Sequence, residues 1–326
     1  MHKPPDLKRI AVITSGGDSP GMNAALRAVV RSTLAKGAEV VGFSHGYRGL
    51  IGNDAVQLES KSVGGIISQG GTILGTARSK EFRTKEGRRQ AVDNLKENAV
   101  EGLIVIGGDG SLSGALVLAD EFSFPVIGVP ASIDNDIFGT DFSVGFDTAV
   151  NTAIEAIDKI RDTAYSHERV FVIEVMGRAN GFIALDVALG CGAEACLIPE
   201  VAYSLADVCQ SLRDMRRKGK RSSIIVVAEA AARAEDVQGF IQERTGFEAR
   251  NTILGHMQRG GRPTAFDRVL ALRLGAFAAD RLLGGFAGEM VGVDGGKLVS
   301  HPLSYVLGTQ KTIDQDKLRL VDVMAQ

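Results

Sequence analysis

The chain has 326 residues, of which 44% are hydrophobic and only 6% aromatic, as is typical of an α/β protein with one large domain or two modest ones. Its 37 lysines and arginines almost balance its 39 aspartates and glutamates, and the formal charge of -2 excludes a global basic field that would recruit nucleic acid or an anionic membrane. Any anion-binding site must therefore be local.

The sequence carries no sign of export or membrane insertion. No apolar run approaches the ~18 to 20 residues that span a bilayer. The first residues, MHKPPDLKRI, are too polar for a secretory signal, so we expect a cytoplasmic protein. The three cysteines, Cys191, Cys196 and Cys209, lack zinc-site spacing and a nearby histidine, and we expect them to be reduced and buried.

Short β-branched runs alternate with amphipathic helical patterns along the chain. Strands are predicted at IAVITS (10–15), EVVGFS (39–44), GLIVIGG (102–108), FPVIGVP (124–130), RVFVIEVMG (169–177) and SSIIVVAE (222–229). Helices are predicted at 23–37, 146–164 and 205–219. This alternation indicates an α/β fold with parallel sheets covered on both faces, in two such layers that divide near residue 145. Ligands of such sheets bind beyond the carboxyl ends of the strands.

Two predicted strands run into the same pattern, ITSGGDSPGMN (13–23) and VIGGDGSLSGA (105–115). Glycines let the backbone approach a bulky anion, and the amides at the start of the following helix point at it. The candidate phosphate cradles are Gly16, Gly17, Gly107, Gly108 and Gly110, and Asp109 is placed to hold the magnesium of a nucleotide. The alternative is a tight strand-to-helix turn with aspartate near the N-cap. The chain has no GxxxxGK[ST], which excludes a Walker-type site.

The segment GVPASIDNDIFGTDFSVGFDT (128–148) places Asp134 and Asp136 just past a strand and a proline. One carboxylate is a candidate base toward a substrate hydroxyl, and the other a candidate orienting group. The alternative is an Asx-type turn.

Three further motifs carry cations. GTARSKEFR (75–83) presents Arg78 and Arg83, and NTILGHMQRGG (251–261) sets His256 and Arg259 three apart, which suits phosphate oxygens. The alternatives are solvated arginines and a structural histidine. RDMRRKGKR (213–221) fits a solvated helix end with a C-cap at Gly219 better than a nucleic-acid patch, because no aromatic residues interleave with the charges.

The ordered motifs ITSGGDSPGMN, GTARSKEFR, IGGDGS, SIDNDIFGTDFSVGFDTA, EVMGR and LGHMQRGG resemble those of the 6-phosphofructokinases, most closely the ATP-dependent bacterial type, from about residue 9 to about 310. The resemblance implies two stacked three-layer α/β/α domains with largely parallel sheets, in a homotetramer whose active sites are shared across subunits. It implies a glycolytic kinase that transfers a phosphoryl group from MgATP to the 1-hydroxyl of fructose 6-phosphate. A nucleotide-binding domain would comprise residues 1–144 plus about 258–308, and a sugar-phosphate and effector domain residues 145–257 plus about 309–326.

The resemblance also implies roles for individual residues. Nucleotide contacts fall on Gly17, Tyr47, Arg78, Ser79, Gly108, Asp109, Gly110 and Ser111, with Asp109 as the magnesium ligand. Asp134 is the catalytic base, and Arg78 and Arg178 offset charge on the moving phosphoryl group. Sugar-phosphate contacts fall on Ser132, Asp134, Asp136, Met176, Gly177, Arg178, Glu229, His256 and Arg259, and Arg169 and Arg250 match two arginines that reach in from a neighbouring subunit.

An effector site for ADP or phosphoenolpyruvate is implied at Arg27, Arg31, Arg161, Glu194, Lys218 and Lys220, with Ser60 where the family has an arginine. The donor is expected to be ATP. Pyrophosphate users of the family carry an acidic residue and a lysine at the positions of Gly110 and Ala131, which are small and neutral here. Pyrophosphate remains the alternative donor, because residues 247–268 resemble a subfamily that includes pyrophosphate users.

Two other classes compete with this interpretation. Kinases of the NAD or diacylglycerol type also carry a GGDG turn after a strand, but their second domain is mostly β, whereas the segment after residue 145 alternates strands with helices. A non-catalytic nucleotide sensor on the same fold would have lost its base or its sugar clamp, and Asp134, Arg169, Arg250 and His256 are all present.

Overall fold

The computed structural model describes residues 7–324, with the side chains of residues 164–167 excepted. The chain forms two compact units. Unit 1 comprises Met1–Asp147 and Arg259–Lys311, and unit 2 comprises Thr148–Gln258 and Thr312–Gln326.

The described strands are β1 (Arg9–Ser15), β2 (Glu39–Phe43), β3 (Ala55–Leu58), β4 (Gly102–Gly107), β5 (Val126–Pro130), β6 (Val170–Val175), β7 (Ala195–Leu197), β8 (Ser223–Ala228), β9 (Ala249–Ile253), β10 (Glu289–Asp294) and β11 (Lys297–Pro302). The described α-helices are α1 (Met22–Ala35), α2 (Tyr47–Gly52), α3 (Lys85–Glu97), α4 (Asp109–Phe122), α5 (Phe146–His167), α6 (Phe182–Cys191), α7 (Leu205–Arg217), α8 (Ala234–Thr245), α9 (Ala265–Leu283), α10 (Leu303–Leu307) and α11 (Gln315–Met324). All six predicted strands and all three predicted helices are confirmed, with ends shifted by up to three residues.

Unit 1 is a three-layer α/β/α sandwich around a seven-stranded sheet of order β11-β10-β5-β4-β1-β2-β3. The central strands are parallel, while β3 and β11 pair antiparallel at the two edges. Successive side chains of β1 enter different cores because strand side chains alternate between faces. Ile10 and Val12 join the core of α1 and α9, and Ala11 and Ile13 join the core of α3 and α4.

The packing of α1 against α9 depends on small residues. Gly275 of α9 lies so close to α1 that a Cβ atom there would meet the carbonyl oxygen of Ala25 at 2.5 Å. A larger side chain would therefore push the two helices apart.

Unit 2 contains a four-stranded, fully parallel sheet of order β7-β8-β6-β9. One face packs Val170, Val172 and Ile225 against α7 and α8, and α6 packs against β8. The basic run does end a helix, but the C-cap is Lys218 and not Gly219, which follows it with φ +94°.

The α/β class and the largely parallel sheets are thus as predicted. None of the helices in residues 7–324 combines the length and apolarity needed to cross a bilayer.

Candidate active site

Three parallel neighbours in the sheet of unit 1 end at the same edge. Ser15 at the end of β1 is in register with Gly107 at the end of β4, and Gly107 is in register with Pro130 at the end of β5. The Gly-Gly-Asp turn after β1, the Gly-Gly-Asp turn after β4 and the Asp134 loop after β5 therefore lie side by side. This is the edge at which open α/β sheets bind ligands.

The turn after β4 leads directly into α4, whose first residue is Asp109. Ser111 is buried, and its amide donates to the carbonyl of Gly108 at 2.9 Å. A Cβ atom at Gly108 would lie 3.6 Å from the Cβ of Ser132, which places the turn against the Asp134 loop. A Cβ atom at Gly110 would meet no atom within 4 Å, so space is open beside the exposed Asp109 carboxylate.

The turn after β1 contacts a residue that lies far away in the sequence. Arg259 Nη1 donates to the carbonyl of Asp18 at 3.3 Å, and a Cβ atom at Gly17 would overlap this guanidinium group. The absence of a side chain at Gly17 therefore makes room for Arg259. The structure thus brings a predicted nucleotide residue and a predicted sugar-phosphate residue together within unit 1.

Asp134 is only 2% exposed and lies in a braced loop. Its amide donates to Ser132 Oγ at 3.2 Å, and Ser132 Oγ lies 3.5 Å from Asp134 Oδ2. Asn135, at φ +52°, accepts from the amide of Ser143 at 2.9 Å and donates to the carbonyl of Asp141 at 3.1 Å. Asp136 is half-buried. Asp134 is therefore a shielded carboxylate on a loop whose backbone is held on both sides.

The loop that carries Arg78 and Ser79 is anchored beside β1. Thr14 Oγ1 donates to the carbonyl of Gly75 at 3.0 Å, and the Asn23 side chain accepts from the amide of Ile73 at 2.8 Å. Arg78 is exposed, whereas Ser79 Oγ accepts from the amide of Phe82 at 3.2 Å. Arg78 is thus an exposed residue on an anchored loop. Ser79 stabilises a turn within that loop.

Tyr47, another predicted nucleotide residue, is buried. Its ring stacks on Phe82 with centroids 4.0 Å apart, and its hydroxyl donates to the carbonyl of Ser111 at 2.5 Å. Burial raises the pKa of this hydroxyl well above its usual value. The Tyr47 hydroxyl therefore holds the backbone of the first turn of α4.

In unit 2 the predicted sugar-phosphate residues follow β6, β8 and β9. The loop Met176–Arg178 follows β6, and Glu229 follows β8, with the Glu229 amide donating to the carbonyl of Val175 at 3.0 Å. Glu229 Oε1 accepts from the amides of Gly177 at 3.2 Å and of Arg178 at 2.6 Å. Gly177 has φ +150° and Arg178 φ +56°, so this tight loop depends on the carboxylate that holds it. His256 is exposed on the short 3₁₀ turn Gly255–Arg259.

Arg169 and Arg250 lie together at the opposite ends of the same strands. Both donate to Glu248 Oε1, at 2.8 and 2.7 Å. The hydrogen bond from Arg169, assisted by the charge of Arg250, lowers the pKa of Glu248 below its usual value. Arg169 precedes the six-residue strand β6 that Met176 follows, so the two lie roughly 20 Å apart at ~3.3 Å per residue. Within unit 2 of a single chain, Arg169 and Arg250 therefore do not reach the Met176–Arg178 loop.

Four of the predicted effector residues belong to unit 2, and Arg27 and Arg31 belong to unit 1. Lys220 pairs with the buried Glu194 at 2.6 Å, and Glu194 also accepts from the amide of Ile224. Arg161 donates to the carbonyl of Cys191, and Lys218 caps α7. Arg27 donates to the carbonyl of Val63 at 2.6 Å, and Arg31 is exposed. Glu194 and Lys220 thus form the ionic pair of this set in unit 2.

All three cysteines are free thiols, but only Cys209 is buried; Cys191 and Cys196 are partly exposed, contrary to the prediction that all would be buried. Cys196 lies in β7 at the edge of the sheet, and Cys191 is the last residue of α6. Burial still raises their pKa values, to about 11 for Cys191 and about 12 for Cys196.

Sequence reasoning missed the residues that hold the site loops. Asn23, Asn135, Ser143 and Gln258 lie inside motifs discussed above but were given no role, and neither was Glu248. Each acts through a contact that is distant in sequence or that depends on the folded loop, such as the 82-residue separation between Gln258 and Met176.

Comparison with known proteins gives a consistent result over nearly the whole chain. The family model described as phosphofructokinase matches residues 9–282. The "ATP-dependent 6-phosphofructokinase" of Halalkalibacterium halodurans is 56% identical over 96% of this chain and 98% of its own length. The "ATP-dependent 6-phosphofructokinase 1" of Thermus thermophilus is 54% identical over 98% of this chain and 100% of its own.

Solved structures share the fold. A phosphofructokinase structure from Saccharomyces cerevisiae matches 92% of this chain with a TM-score of 0.86 and 40% identity, and this chain spans 45% of the yeast chain. A pyrophosphate-dependent phosphofructokinase from Marinobacter aquaeolei matches 97% of this chain and 91% of its own with a TM-score of 0.83, but at 21% identity this likeness concerns the fold alone. From the family match and relatives that are more than half identical over almost all of their length, we conclude that the chain belongs to the phosphofructokinase family.

Proposed function

We propose that the protein is an ATP-dependent 6-phosphofructokinase, which transfers a phosphoryl group from MgATP to the 1-hydroxyl of fructose 6-phosphate and releases fructose 1,6-bisphosphate and ADP. The observation that carries the proposal is the register of β1, β4 and β5, which sets two Gly-Gly-Asp turns beside the shielded carboxylate of Asp134. As a glycolytic kinase it would work in the cytoplasm.

The proposed mechanism is an in-line displacement in which the protein positions the reactants and neutralises charge. Asp134 accepts the proton of the sugar hydroxyl as the new P–O bond forms. Arg78 and Arg178 offset the negative charge of the moving phosphoryl group. In this scheme the two Gly-Gly-Asp turns bind the nucleotide and Asp134 is the base, while the Met176–Arg178 loop and His256 bind the sugar phosphate.

Magnesium fits the residues present. Mg²⁺ is usually bound by one or two carboxylates together with substrate phosphates. The Asp109 carboxylate is exposed beside the open space at Gly110, at the N-terminus of α4. When bound there, the ion would neutralise charge on the nucleotide phosphates.

The surroundings of two positions support ATP over pyrophosphate as the donor. Gly110 borders open space, which leaves room for the α-phosphate of a nucleotide. Ala131 is only 1% exposed and its amide donates to the carbonyl of Gly107, so a lysine there would have to bury its charge. The relatives that are more than half identical are also named ATP-dependent.

Parallel assays of the purified protein test this function. ADP release that depends on fructose 6-phosphate and magnesium is the expected result, with pyrophosphate giving far slower phosphorylation. Comparable rates from pyrophosphate would contradict the argument at Gly110 and Ala131. No phosphorylation from either donor, with nucleotide binding retained, would instead favour the nucleotide sensor.

We further propose that active sites are shared between subunits of a homotetramer. Arg169 and Arg250 lie roughly 20 Å along β6 from the Met176–Arg178 loop, which supports their serving a neighbouring copy. The open edge of β9 and the exposed Ile253 offer a surface for that copy. Mixing Arg169→Ala with Asp134→Asn protein after dissociation should restore activity through hybrid sites, and no recovery in reassembled mixtures would contradict sharing.

The effector site remains part of the proposal. The Lys220–Glu194 pair and the neighbouring Arg161 and Lys218 supply the charges that would bind ADP or phosphoenolpyruvate. Because Ser60 replaces a family arginine, we expect weak effector binding. Kinetics that change with effector in the wild type but not in Lys220→Ala protein would support the site, and identical hyperbolic kinetics in both would contradict it.

A further inference from the structure

The short turn that carries His256 also contains a buried polar residue, Gln258, to which no role has been given. His256 and Met257, which directly precede it, are exposed, while Gln258 is 0% exposed. Its Oε1 accepts a hydrogen bond from the amide of Met176 at 2.9 Å. A single side chain therefore links two segments of unit 2 that are proposed to bind the sugar phosphate.

The Met176–Arg178 loop has three successive backbone amides held by two side chains. Gln258 takes the first, and Glu229 Oε1 takes the amides of Gly177 and Arg178. Because Gly177 and Arg178 have positive φ angles, the loop is not held by a regular ladder beyond β6. The position of Met176, where the strand ends and this loop begins, is then set by Gln258.

The orientation of the Gln258 amide follows from its chemistry. Only the carbonyl oxygen can accept an N–H, so Oε1 must face Met176 and Nε2 must point away. The Nε2 atom is buried and has no hydrogen-bond partner among residues 7–324. A buried donor without a partner is unfavourable, and a methionine would fill a similar volume without this cost. The hydrogen bond that Oε1 accepts from Met176, and not packing, therefore explains why a glutamine side chain lies at this position.

We propose that Gln258 is a positioning residue for the sugar phosphate. By accepting the Met176 N–H, it fixes the start of the Met176–Arg178 loop relative to His256 in its own turn. The inference rests on the proposed function, since it concerns the same substrate, and it assigns Gln258 no contact with the reacting atoms.

Three substitutions separate this role from packing. Gln258→Met removes the acceptor at similar volume, and Gln258→Asn keeps the amide but is one methylene too short to reach 2.9 Å. Gln258→Glu keeps the acceptor, because a glutamate carboxyl has an oxygen that can accept the Met176 N–H whether or not the group is protonated. Gln210→Met is the matched control, since Gln210 is exposed on α7 and its side chain donates to Asp214, away from the Met176–Arg178 loop.

We expect Gln258→Met and Gln258→Asn to raise KM for fructose 6-phosphate by about three- to tenfold, the range of one hydrogen bond. KM for ATP should stay within about twofold of the wild type, and Gln258→Glu and Gln210→Met should behave like the wild type in both. Titration calorimetry of fructose 6-phosphate without ATP should show the same weakening, while thermal unfolding reports any structural effect separately.

Several outcomes would overturn the inference. A folded Gln258→Met protein with wild-type KM shows that the acceptor does not position the loop, and an equally impaired Gln258→Glu protein shows that acceptance is not the reason. If Gln258→Met does not fold, Gln258→Asn and Gln258→Glu carry the same comparison, and failure of all three to fold marks Gln258 as purely structural. A wild-type protein that binds fructose 6-phosphate but does not phosphorylate it contradicts the proposed function alone, because the calorimetric comparison still applies.

Discussion

Replacing Asp134 by asparagine removes a proton acceptor and changes little else. Asparagine has nearly the same size, and the Asp134 amide would still donate to Ser132 Oγ, as it does at 3.2 Å. The loop is also held independently by Asn135, which bonds the amide of Ser143. We therefore expect the backbone of this loop to keep its position and the binding of fructose 6-phosphate to be largely retained.

The expected loss in turnover follows from the burial of the carboxylate. General-base catalysis contributes about 10²- to 10⁴-fold, or roughly 2.7 to 5.4 kcal/mol of activation free energy. Asp134 is only 2% exposed, so bulk water has little access to take the proton in its place. We expect kcat to fall at least about a hundredfold.

The assay compares kcat and KM of Asp134→Asn with those of Asp141→Asn. Asp141 lies seven residues further along and is exposed, and its carboxylate accepts from the amide of Gly295 at 2.9 Å, so the control makes the same chemical change outside the proposed site. Turnover of Asp134→Asn within tenfold of the wild type would remove Asp134 from the role of base. A large rise in KM for fructose 6-phosphate without a fall in kcat would assign it to binding instead.

Three other substitutions test separate features. Gly17→Ala would displace the Arg259 guanidinium, so KM for fructose 6-phosphate should rise about tenfold with little change in melting temperature, and an unchanged KM would refute a role for this contact. The side chain of Gly110→Asp would lie in open space, so the melting temperature should not change. Its charge would repel the phosphates and raise KM for ATP about tenfold or more, whereas Gly110→Ala should keep the wild-type KM. Burial raises the pKa of Cys191 from 9.0 to about 11, so the folded state keeps a proton that the unfolded chain releases. Stability should therefore be full below pH 9 and fall toward pH 11, and denaturant unfolding of Cys191→Ser should show a shallower fall.

The parts of the fold that the sequence predicted are those with local causes. The apolar runs of β1, β4 and β5 are buried on both faces, so they read as continuous hydrophobic strands, and glycine-rich turns mark their ends. The rule that parallel strands present their carboxyl ends at one edge then brought the Gly-Gly-Asp turns and Asp134 together. The antiparallel edge strands β3 and β11 were missed because three of the four residues of β3 are exposed and no residue of β11 is fully buried, so neither is a continuous apolar run.

The sequence pattern could not predict contacts between segments that are distant along the chain. Arg259 meets Asp18 across 241 residues, and nothing in either motif indicates that Gly17 lacks a side chain in order to admit that guanidinium. Tyr47 shows the opposite case, because the resemblance implies a nucleotide contact at this position. In the fold its ring packs on Phe82 and its hydroxyl bonds the backbone of α4.

Arg169 and Arg250 show how the structure adds to a residue-by-residue resemblance. The motifs alone match them to arginines that act across an interface, and no spacing in the sequence explains why they should. The structure supplies a physical reason: both are held by Glu248 at the start of β6 and β9, while the Met176–Arg178 loop and Glu229 lie at the far ends of β6 and β8. A phosphate bound by this pair must displace or share Glu248, whose pKa is already lowered by the Arg169 hydrogen bond. The two arginines are thus preassembled as one cationic surface, and its separation along β6 from the Met176–Arg178 loop is what supports the proposal that they serve a neighbouring copy.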